Sequence, residues 1–116
     1  MAYRVAAASS DGKVINQHFG RSGQFLVFDI RSDGGFDFVE LRKNIPPCGT
    51  AEHDENAMTR SVELLFDCKM VVSCQIGPGA EQALGYRGIR ALTAAGFIDE
   101  VLEKLASSYL VREYFK

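Results

Sequence analysis

The chain has 116 residues, 47% of them hydrophobic and 24% charged, with a net charge of −2. That is enough for one domain over residues 1–116 with a core that needs no crosslinks, and the scattered basic residues exclude the charged stripe of a nucleic-acid binder. Three cysteines argue against a disulfide framework; with no signal-peptide pattern and no run long enough for a membrane span, a cytoplasmic protein with reduced thiols is expected.

In chain order, residues 3–9 read as a strand entering a core, and Ser10-Asp11-Gly12-Lys13 as a turn. A short extended piece, Val14-Ile15, leads into a loop over 16–23. Residues 25–30, aromatic and β-branched, predict a second strand. Residues 31–35, ending in two glycines, predict a hairpin turn. Residues 36–42 alternate apolar and polar, as a strand with one wet face does. A loop over 44–52 follows, where Pro46-Pro47 forbids helix.

From about Asp54 a helix is expected, with Met58, Val62, Leu65 and Phe66 on one stripe, ending near Asp67-Cys68. Residues 70–76 predict a buried strand. Gly77-Pro78-Gly79 turns into a helix over about 80–84, and residues 88–93 predict the last strand. Ile98, Val101, Leu102 and Leu105 recur at helical spacing. The tail from Tyr109 to Lys116 either extends that helix or crosses the surface. The order β-β-β-α-β-α-β-α predicts an α/β fold: a mixed five-stranded sheet with helices on its faces, an order also found in ribonuclease H-like folds.

Three residues stand out for metal chemistry. His18 lies in a loop between strands, and imidazole is a common metal ligand; the alternative is a surface histidine bonded to a nearby carbonyl. Cys48 follows two prolines and precedes Gly49, which presents a thiol at a loop tip rather than in a core. His53 lies five residues further on. Cys48 and His53 are too few for a closed zinc site, and His53 also fits a helix's first turn. Cys68 and Cys74 flank the apolar strand and read as structural. Gly77-Pro78-Gly79 lacks the rest of a dinucleotide or Walker motif and reads as a tight turn. The acids show no nuclease-like cluster, and Asp11 and Asp33 read as turn residues.

Together, Ser9-Ser10-Asp11-Gly12, His18-Phe19-Gly20, the 25–30 strand, the loop from Asn44 to Cys48, Asp67-Cys68, the turn from Ile76 to Ala80 and the segment from Leu84 to Ile89 resemble the nitrogenase iron–molybdenum cofactor accessory family, the domain of NifX-like and NifB C-terminal-like proteins. The resemblance spans about 3–106. It implies a ribonuclease H-like fold and a non-enzymatic role: binding or carrying an iron–sulfur or iron–molybdenum-type cluster between donor and acceptor proteins of a metal-cofactor assembly pathway. It implies His18 and Cys48 as metal ligands, with His53 also binding the cluster. Two other classes stay open: a protein–protein interaction or regulatory domain without metal, using the apolar tail, and a small hydrolase whose acids converge only on folding.

Overall fold

A computed structural model describes residues 2–45 and 55–116, and side chains throughout those spans except at 55 and 56. The 44–52 loop beyond Ile45, the helix start at Asp54, and both Cys48 and His53 lie outside the described residues. The strands are β1 Tyr3–Ala8, β2 Val14–Ile15, β3 Gln24–Ile30, β4 Phe36–Lys43, β5 Met70–Ser73, β6 Arg90–Thr93 and β7 Gly96–Phe97. The helices are α1 Glu55–Leu64, α2 Pro78–Tyr86, α3 Ile98–Ala106 and α4 Tyr109–Tyr114.

Five strands form one mixed sheet in the order β4-β3-β1-β5-β6. The β3–β4 hairpin is antiparallel, and so is the pairing of β1 with β3, whose longer connection holds β2 and the loop after it. The two pairings reached through helical crossovers, β1 with β5 and β5 with β6, are parallel. Short turns permit only antiparallel return, whereas a parallel neighbour needs a crossover of a dozen residues or more. The 31–35 hairpin is as expected. Gly34 takes a positive φ of 91° there, a conformation that favours glycine, and Gly35 N–H donates to Asp33 at 2.8 Å.

Both faces of the sheet are covered because β1 and β5 are apolar on both sides. Val5, Ala7, Met70 and Val72 pack under α3 and α4, with Ile98, Leu102, Leu105 and Val111. Ala6, Ala8, Phe25, Val27 and Val71 pack under α1 and α2, with Val62, Leu65, Ala80 and Leu84. Burial of these side chains is the dominant favourable term; fully burying one large aliphatic contributes roughly 1.5–3 kcal/mol.

The structure corrects several boundaries. Helix α1 ends at Leu64, and the N–H groups of Leu65, Phe66 and Cys68 bond back three residues in a tight turn. Phe66 therefore leaves the apolar stripe and is exposed. Strand β5 stops at Ser73 rather than at residue 76, because the next backbone groups are taken by another partner: Cys74 N–H donates to Gln17 O at 3.0 Å, and Phe19 N–H donates to Gln75 O at 2.9 Å. Helix α2 starts at Pro78 and runs to Tyr86. The Val14-Ile15 piece pairs with β7, a strand not anticipated, as a two-stranded ribbon. Gly96 makes this possible with φ 108°. The tail forms a separate helix, α4, whose Val111 is fully buried and whose Tyr114 meets Tyr3 edge to face at 5.1 Å.

One polar network ties the sheet to the α1–β5 turn. Arg4 grips Asp29 with two hydrogen bonds, at 2.8 and 2.9 Å, and reaches Asp67 at 2.8 Å. Arg42 grips the same Asp67 at 2.7 and 2.8 Å and also donates to Leu64 O. The Arg42 and Arg4 guanidiniums hold the Asp67 carboxyl well below the usual carboxylate range.

Candidate functional site

His18 stands where the loop after β2 meets the chain leaving β5. It makes an isolated parallel bridge with Gln75. Its backbone is held from both sides: Gln17 O accepts from Cys74, its own carbonyl accepts from Arg21 at 3.0 Å, and the next N–H donates to Gln75 O. The 3-10 turn Phe19–Arg21 follows at once, and Phe19 is fully buried against Phe25, with ring centroids 5.6 Å apart. Phe19 is thus the anchor that fixes the loop. The His18 side chain is exposed and is a rigidly mounted imidazole rather than a packed one.

His18, Gly20, Arg21, Gln75, Ile76 and Gly77 line an open cleft of about 180 Å³. It lies outside the carboxyl ends of the parallel strands, at the point where the chain leaves β1 toward one side of the sheet and β5 toward the other. Open α/β sheets place ligand crevices there. Arg21 brings a cation to the cleft; its sequence signal is its contiguity with His18-Phe19-Gly20. Gln75 enters through backbone pairing, which is non-local and leaves no mark in sequence. The anticipated turn at 77–79 opens onto the same cleft, and Gly77 caps α2 with extended backbone and no side-chain capping bond.

The segment leading to Cys48 is tied to this loop. Asn44 N–H donates to Gly23 O at 2.9 Å, its side-chain amide donates to Ser22 O at 2.9 Å, and Ser61 Oγ donates to its side-chain oxygen at 3.1 Å. The other two cysteines pack against the two cores. Cys68 is buried in the core under α1 and α2; burial, with the neighbouring Asp67 carboxylate, pushes its thiol up to about 12. A thiol so raised is inert at neutral pH. Cys74 packs half-buried against the opposite core. Among the described residues, no three His, Cys, Asp or Glu side chains gather as a metal site.

Asp11 and Asp29, two acids that a nuclease-like site could draw on, are engaged in structural bonds. Asp11 accepts from the N–H groups of Lys13 and Val14 at 2.8 and 3.1 Å and from Ser9 Oγ. Those bonds lower its carboxyl pKa and close the turn. Asp29 is held by Arg4.

The architecture is therefore a mixed α/β sheet with an exposed histidine at its crevice. The family model for dinitrogenase iron-molybdenum cofactor matches residues 1–108, and the chain belongs to that family. It is 32% identical over 106 residues to the FeMo cofactor biosynthesis protein NifB of Frankia alni, covering 89% of this chain and 21% of that protein. It is 28% identical over 109 residues to the NifX protein of Azotobacter vinelandii, covering 88% of this chain and 64% of that one. The chain thus spans about a fifth of the NifB relative. The crystal structure of PH0822 superposes with a TM-score of 0.68 at 24% identity, covering 89% of this chain and 88% of that one, which supports the fold alone. No described helix is long and apolar enough to cross a membrane.

Proposed function

We propose that this chain is a non-catalytic carrier for a metal–sulfur cluster of the iron–sulfur or iron–molybdenum type, handed on between the donor and acceptor proteins of a cofactor assembly pathway. The observation that carries this reading is an exposed imidazole on a rigidly pinned loop at the crevice, with the chain leaving β4 bonded to that same loop. His18 is exposed on a pinned loop, and Asn44, four residues before Cys48, is bonded to Ser22 and Gly23 of that same loop.

Imidazole and thiolate suit iron and molybdenum–sulfur cargo. So few protein ligands leave most of a cluster's surface open, which suits transfer rather than permanent residence. Arg21 in the cleft favours an anionic cargo. His53 would be a further cluster contact. The family membership and the similarity to FeMo cofactor biosynthesis proteins of the NifB type support the pathway. The sheet order, with its second strand antiparallel to both neighbours, supports the ribonuclease H-like description of the fold.

The test is anaerobic reconstitution with iron, sulfide and molybdate, followed by metal analysis and a visible spectrum. Wild type should hold a chromophore that His18→Ala and Cys48→Ala each weaken and the double variant loses. Equal retention by the double variant would refute the site.

A further inference from the structure

Strand β4 lies at an edge of the sheet, and among the described residues nothing pairs with its outer side. It is also the longest strand, at eight residues. Its Phe38, Val39 and Leu41 are 58%, 37% and 42% exposed. A long edge strand with apolar side chains is a template for another strand, so the occupant has to be identified.

The register against β3 contains the answer. Phe36, Phe38, Leu41 and Lys43 stand opposite Ile30, Phe28, Leu26 and Gln24. Ile30, Phe28 and Leu26 belong to the core under α3 and α4. Asp37, Glu40 and Arg42 stand opposite Asp29, Val27 and Phe25, on the other face. The pairing irregularity between Val27 and Phe28 inserts Val39 and reverses the odd–even alternation. As a result Phe38 and Leu41 share one face, and Asp37 and Arg42 share the other.

We propose that β4 is the contact surface for a second copy of this chain, the two strands pairing antiparallel about a twofold axis between Val39 and Glu40. In that register Phe36 faces Lys43, Asp37 faces Arg42, and Phe38 faces Leu41, each pair twice. Every one of these pairs lies on a common face, which an unbulged strand would not allow. The apolar contacts match in kind, aromatic to aliphatic; on the other face Asp37 and Arg42 meet with opposite sign, though Asp37 is already paired with Arg31 and Arg42 with Asp67 and Glu40. A two-residue slip one way would set Asp37 against Glu40, and the other way Phe38 against Lys43 and Glu40 against Leu41, so like charge and mismatched polarity together select the register. A foreign strand would not account for this self-complementarity, which is what an isologous interface requires.

The weak point is central. The two Glu40 side chains approach each other across the axis on the charged face, each paired with its own Arg42 at 2.6 Å. The pair should therefore be a reversible dimer that tightens when that repulsion is removed.

Sedimentation equilibrium on the full chain without metal, from micromolar to millimolar concentration, tests this. Wild type should show a reversible monomer–dimer equilibrium. Glu40→Gln should dimerise about two- to five-fold more tightly, and Leu41→Lys should be monomeric with an unchanged melting temperature. Hydrogen exchange should show β4 amides gaining protection with concentration in wild type only. A monomer throughout the range, or a dimer indifferent to both substitutions, would overturn the proposal. So would capture of a different protein's strand by a chain that never self-associates. None of these readouts depends on cluster binding.

Discussion

Asp67 joins β1, β4 and the α1–β5 turn through two arginines, so removing its charge should reveal how much that junction stabilises the fold. In Asp67→Asn the amide keeps the shape, but two guanidiniums face a neutral group. Breaking a fully buried ion pair costs about 3–5 kcal/mol. Here the Asp67, Arg4 and Arg42 side chains are 24%, 30% and 12% exposed, so solvent screens part of the loss and about 2 kcal/mol is expected. A chain of this length has an unfolding entropy of about 0.24 kcal/mol/K, so the midpoint should fall by about 8 °C. Urea unfolding at pH 7 measures the difference directly. The pH dependence has a definite sign. Because the folded carboxyl titrates below the unfolded one, its contribution is complete above about pH 4 and is lost as the pH falls further. The wild-type advantage over the Asn variant should therefore shrink in acid. A double-mutant cycle with Arg42→Met should give a coupling of at least about 1 kcal/mol. A loss under about 0.5 kcal/mol at pH 7, with no coupling, would show that the junction is an ordinary surface bridge and refute the reasoning.

Cys68 makes the opposite pH prediction. Its thiol is raised from an ordinary 9.0 to about 12, so its contribution is intact below pH 9 and falls between pH 9 and 12, with a slope approaching 1.4 kcal/mol per unit; Cys68→Ala should lack that slope in alkaline urea melts. His18→Ala should leave stability within about 0.5 kcal/mol of wild type, since the exposed imidazole carries no packing, and a circular dichroism melt would confirm that any loss of cluster retention is local. Val111→Ala should cost roughly 2 kcal/mol by deleting two fully buried methyl groups and leaving a cavity. Deleting 109–116 should destabilise the domain more than that, which thermal melting would show; an unaffected melt would return the tail to the role of a free docking segment.

Much of the candidate site was legible because its residues are local in sequence. His18-Phe19-Gly20 forms a contiguous unit, with Phe19 as anchor and His18 as the exposed group. The structural assignment of Cys68 followed from its apolar setting. Three features were not legible. Phe66 has a helical spacing but sits beyond the helix end, since the backbone of residues 65–68 tightens into a turn. The end of β5 at Ser73 depends on Gln17 and Phe19, more than fifty residues away. The tail's apolar residues fit a surface patch and a buried helix equally well until Tyr3 is seen beside Tyr114.

By itself the sequence determined the family, the five main strands and the helix periods, because strand alternation, helical spacing and turn chemistry are each properties of a few neighbouring residues. Only the tertiary structure decided which carbonyl receives each stray N–H, that Asp67 is shared by Arg4 and Arg42, and that the bulge at Val39 brings Phe38 and Leu41 to one face of an open edge. Those outcomes depend on distant segments meeting in one register, and the physical terms that select it, burial and charge pairing, act only once the chain has closed on itself.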